Sequence, residues 1–179
     1  MKPSFITKKA EQRAFLATLL FTIVFIVGAY TTITDWQQAL PLVIFQAAVI
    51  YHAYYSIRCF SSIIPPNNQH QLYIDAVLTA LYILLPFYFN SATCFVLVSA
   101  IMLAVAALKY AAILDHIPYP KTLRRKIIAD VLGALLCLLA LAAILEGYET
   151  LATTAWVVIM ALATIYYMAI RPLYVVMDK

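Results

Sequence analysis

Four ionisable side chains stand inside long apolar stretches of this chain: His52, Asp75, Lys109 and Asp130. An ionised Asp or Lys at the centre of a membrane helix costs roughly 2.5–3.5 kcal/mol. Such a group therefore needs a partner, water or, for an Asp, a proton. Two aspartates in that setting are suited to holding a cation or shuttling a proton. A histidine can change charge near neutral pH, and a lysine can snorkel its ammonium toward the membrane surface.

Helical spacing gives these residues company. Gln71, Asp75, Thr79, Tyr82, Pro86 and Asn90 fall on one face of a helix, a polar stripe as tall as a membrane. Thr164, Tyr167 and Arg171 align on another, and Asp130 shares a face with Gly133 and Cys137. Read as function, this is a polar pathway or solute pocket. Asp75, Asp130, Lys109 and His52 form its titratable wall, with Thr79, Tyr82, Tyr167 and Arg171 beside them. Read as structure, it is a fixed network: Asp75 or Asp130 pairs with Lys109 or Arg171, and His52 joins an interfacial belt in Tyr51-His52-Ala53-Tyr54-Tyr55.

The elements that must carry these residues follow from composition. The chain has 179 residues, 65% of them hydrophobic and 11% charged, with a mean hydropathy of +0.92. Ordinary soluble domains are about half apolar and a quarter charged. A soluble domain, a disordered chain, a disulfide scaffold and a nucleic-acid-binding domain are all excluded. The long unbroken apolar runs also argue against a β-barrel, whose strands alternate. What remains is an all-α integral membrane bundle.

Six apolar segments are predicted by length, over 12–33, 37–58, 71–89, 92–114, 126–146 and 151–174. Together they form a single transmembrane domain, 1–179. Lys8, Lys9 and Arg13 precede the first segment, and Val27-Gly28-Ala29 imitates a signal cleavage site, but the run is expected to persist as a membrane helix. Alternating crossings place all twelve Lys and Arg residues at or near one side. The positive-inside rule then puts both termini in the cytoplasm, in a plasma (inner) membrane, with three antiparallel hairpins. Asp75, Lys109 and Asp130 each lie about four or five residues inside their helices, roughly 6–8 Å deep. Ala100, Ala104, Ala107 and Ala111, and separately Ala129, Gly133, Cys137 and Ala140, form small-residue seams for close packing. Lys109 points away from the first seam. Self-association is compatible with these seams, and no number of subunits follows from them.

Cys59, Cys94 and Cys137 form no C-x-x-C pair, and they read as reduced, apolar residues. No metal, haem or other cofactor is implied, and no Walker, H-E-x-x-H or G-x-S-x-G motif appears. No catalytic residue is assigned. Lys121, Arg124, Arg125 and Lys126 are expected to meet anionic lipid headgroups, each contributing about 1 kcal/mol. The expected function is a small channel or transporter for an ion or small polar solute. The alternatives are a non-transporting accessory, sensor or immunity module that acts through a partner and, last, an enzyme working on lipid headgroups.

Overall fold

The computed structural model describes residues 8–61, 69–114 and 120–170. Among these residues every regular element is helical: α1 (Lys8–Thr32), α2 (Trp36–Phe60), α3 (Gln69–Leu84), a 3₁₀ turn (Leu85–Tyr88), α4 (Ala92–Ala112), α5 (Pro120–Leu145), α6 (Glu149–Ile165) and a π turn (Tyr166–Ile170). Six helical spans are long and apolar enough to cross a membrane. Their outward faces are apolar as well, with Phe15, Leu16, Leu108, Leu139 and Leu162 all more than 60% exposed. Only a bilayer makes a comfortable solvent for such a surface.

Local chemistry sets the ends of these helices. Asp35 caps α2, its carboxylate accepting from Gln37 N–H at 2.8 Å, and Ser91 caps α4 by accepting from Cys94 N–H. Between α5 and α6, Gly147 adopts φ +92°, a conformation natural only to glycine. Tyr148 N–H then reaches Ala143 O and Gly147 N–H reaches Ile144 O, both at 3.0 Å, in a Schellman closure.

Most boundaries shift from the segments expected above, and two of the shifts have a local cause in a proline. The third segment ends its α-helix at Leu84, because Pro86 cannot donate to the helix and the chain tightens into the 3₁₀ turn. The fifth begins at Pro120 rather than 126, since a first-turn proline is tolerated and the following basic residues continue the helix.

The helices pack as a ring. α4 and α5 make the most extensive contact, followed by α1 with α2, and α6 touches both α5 and α2. α3 packs on α4 and closes weakly on α1, while the 3₁₀ turn after it packs firmly on α1. Gly28 makes that last approach possible. A Cβ there would lie 2.5 Å from Pro86 Cβ and 2.9 Å from Pro86 O.

Candidate functional site

The ring encloses a cavity of about 700 Å³. Its wall takes residues from the early part of α1, most of α2 and α3, the middle of α5 and the later parts of α4 and α6. At one end are Arg13, Lys109, Lys126, Asp75 and Asp130. Toward the other, the wall becomes Phe45, Val49, Met102, Val157 and Met160.

At the charged end, Lys109 on α4 reaches across to Asp75 on α3, with Nζ 2.5 Å from Oδ1. Lys126 on α5 bonds Oδ1 of Asp130, four residues on along the same helix. Four residues is the spacing at which helical side chains meet. The ring of Tyr110 neighbours both ammoniums, its centroid 6.0 Å from Lys109 Nζ and 5.1 Å from Lys126 Nζ. Its hydroxyl hydrogen-bonds that of Ser56 on α2. Gln71 is buried beneath the pair and donates to Lys109 O at 3.5 Å.

The two pairs differ in exposure. The Asp75 side chain is 45% exposed, that of Asp130 only 5%. The second oxygen of Asp130, Oδ2, is buried with no hydrogen-bond partner among the described residues.

Half-way up the cavity, His52 Nε2 and Thr164 Oγ1 share a hydrogen bond of 3.2 Å. The single hydroxyl proton of Thr164 is already donated to Met160 O at 2.9 Å. Thr164 is therefore the acceptor, and His52 carries a proton on Nε2. Tyr82 stacks on Phe21 with ring centroids 4.7 Å apart, joining α3 to α1 across the wall.

The apolar end is closed by aromatic packing. Phe45 meets Trp156 at 4.4 Å and Phe95 at 5.9 Å, and Phe95 stacks on Phe89 at 5.5 Å. All four rings are buried to within 2% of full burial. Beyond them, Gln37, Gln38, Pro41, Ala92, Glu149, Thr150 and Thr153 line a shallow recess. On α2, α4 and α6 the cluster lies between that recess and the cavity. Phe45 and Ser56 are eleven residues apart in α2, so the chamber below the seal is about 16 Å deep. Gln46 sits next to the seal, fully buried, and neither atom of its amide has a partner among the described residues.

Most of the residues singled out in the sequence meet here. Asp75, Asp130, Lys109, His52, Thr79, Tyr82 and Tyr167 all line the cavity. Thr79 spends its hydroxyl on Asp75 O at 2.7 Å. Arg171 lies outside the described residues. Lys121, Arg124 and Arg125 are exposed and apart from the cavity, whereas Lys126, grouped with them in the sequence, turns inward to Asp130. Its i, i+4 spacing from Asp130 was the available signal. His52 faces the cavity, while the rings of its neighbours Tyr51, Tyr54 and Tyr55 pack edge to face on one another. Arg13, Ser56, Tyr110 and the aromatic seal were not singled out, because each depends on contacts between distant helices.

No group of three or more His, Cys, Asp or Glu side chains able to hold a metal occurs among the described residues. No protein-family model, curated protein or solved structure matches this chain.

Proposed function

We propose that the protein is a membrane carrier, with the cavity as its binding chamber. The observation that carries this reading is the shape of the chamber. It holds both intramembrane aspartates and opens among basic residues, and four packed rings shut it at the other end. A channel needs a continuous path, and a structural network needs no empty volume. A chamber sealed at one end suits alternating access, in which breaking one seal and making another moves a bound solute across.

In this reading the six helices alternate in direction as three hairpins. Support comes from the charged end of the cavity, which takes Arg13, Asp75 and Lys126 from the early parts of odd helices and Ser56 and Lys109 from the late parts of even ones. The basic end faces the cytoplasm of a plasma membrane, with both termini there, by the positive-inside rule. Lys121, Arg124 and Arg125 lie at the height of anionic headgroups, and Lys126 belongs to the chamber instead.

Single cysteines in a background without native ones test the scheme. A membrane-impermeant maleimide should label Thr79→Cys from the Arg124 side in the absence of solute, from the opposite side only while solute is being moved, and Trp36→Cys from the opposite side throughout. Labelling of Thr79→Cys from both sides without solute, as fast as with it, makes the protein a pore. Protection from both sides makes the aspartates a dry network.

A further inference from the structure

We infer that the chamber is built for a zwitterionic amphiphile, a single apolar chain whose head joins an anionic phosphate to a primary ammonium. The inference rests on the carrier reading and names its substrate class.

The head follows from the polar capacity left over at the charged end. Lys109 and Lys126 each bond an aspartate oxygen, yet each ammonium has three N–H donors. Arg13 lines the same end and is exposed. Donors for an anion are thus in surplus. One acceptor is in surplus too: Asp130 Oδ2, in a side chain 5% exposed, with no donor among the described residues. A buried carboxylate oxygen left without a donor is costly, so a ligand that supplies an N–H there is favoured. Two lysines and two aspartates close to Tyr110 present both signs of charge, complementary to a head of both signs. A quaternary ammonium has no N–H and fails at Asp130, and a neutral glycerol head lacks the charge.

The chain follows from the rest of the wall. Above His52 the lining is Phe45, Val49, Met102, Leu136, Val157 and Met160, without a charge. A hydrated ion gains nothing there, whereas an apolar chain does. A volume of about 700 Å³ sits within the roughly 300–1,000 Å³ of sites that engulf a small organic molecule. The wall is apolar where α2, α5 and α6 form it: Ile44, Leu132 and Ile159 line the cavity and are 46%, 57% and 49% exposed. An amphiphile already dissolved in the bilayer can enter between α2, α6 and α5 without crossing water.

Trp156 provides the readout, because it packs on Phe45 at the chamber floor. With Trp36→Phe it becomes the sole tryptophan of these 179 residues. Lauroyl lysophosphatidylethanolamine with a quencher at the chain end is titrated against the choline and glycerol analogues in neutral detergent. The expected result is saturable quenching, about tenfold tighter for ethanolamine than for choline, the scale of one charge-assisted hydrogen bond. Asp130→Asn should bring that ratio to about one, the scale of losing that bond. Ala129→Phe, which fills the chamber and removes no charge, should abolish saturable quenching in protein that still elutes as a single folded species. Equal affinity for the three heads overturns the assignment, and so does free phosphoethanolamine competing as well as the lysolipid. Binding without flux in proteoliposomes overturns the carrier reading alone, while flux of phosphoethanolamine with no lysolipid binding overturns this inference alone.

Discussion

Asp75 and Asp130 are each held by a lysine beside the same tyrosine ring, but the two pairs are built differently. Asp75 takes Lys109 from the neighbouring helix and is nearly half open to the chamber mouth. Asp130 takes Lys126 from its own helix, is almost fully enclosed, and leaves one oxygen unsatisfied. A pair between helices is a tie, so releasing it frees α3 from α4. A pair within one helix ties nothing, so a ligand can displace it without moving the bundle. The first arrangement suits a gate and the second suits a binding site.

The sharpest way to break this contrast is to remove Asp130. Asp130→Ala leaves the Lys126 ammonium, 13% exposed, without its carboxylate. Removing one partner of a buried ion pair typically costs about 3–5 kcal/mol. Thermal unfolding in detergent should show that loss. Replacing both members, as Lys126→Met with Asp130→Leu, should recover most of it, because an apolar pair of similar size carries no desolvation cost. Recovery of stability together with lost lysolipid binding would mark the pair as retained for function. Recovery of both would show that Asp130 serves the fold only.

Much of this arrangement is legible in the sequence, and the remainder has physical reasons for being hidden. The six spans follow from apolar length alone, because a bilayer-crossing helix must satisfy its backbone internally. Asp75, Asp130, Lys109 and His52 stand out because charge in lipid is expensive. Pairing is another matter. Lys126 to Asp130 is visible at i, i+4, but Lys109 to Asp75 depends on how α3 rotates against α4. The aromatic seal depends on three helices meeting at Phe45, Phe95 and Trp156. Periodicity gives the face a residue occupies and leaves open what lies across from it.

Gln46 separates burial from charge in the comparison. It is as enclosed as Asp130 and also has unpartnered polar atoms, but it is neutral and lies beside the aromatic seal. An unmet buried polar group costs roughly 1–3 kcal/mol, so Gln46→Leu, close in volume, should raise the melting point by a corresponding amount. If the seal opens during transport, Gln46 gains water on that occasion, and the leucine variant should be more stable but slower in flux. Equal flux would place Gln46 outside the pathway.

The smaller of the two carboxylate effects is expected at Asp75. Lys109 is as enclosed as Lys126, at 12% against 13% exposure, but the Asp75 side chain is 45% exposed, and in Asp75→Asn an amide oxygen remains to accept from the ammonium. Asp75→Asn should therefore cost about 1 kcal/mol, less than Asp130→Ala. Its consequence should lie in geometry. With the tie to Lys109 weakened, the distance distribution between spin labels at Tyr73 on α3 and Leu108 on α4, both exposed and outside the cavity lining, should broaden. The matching Asp130→Asn variant should leave it unchanged. If Asp130→Asn broadens the distribution instead, the two pairs have exchanged the roles given to them here, and Asp130 is the gate.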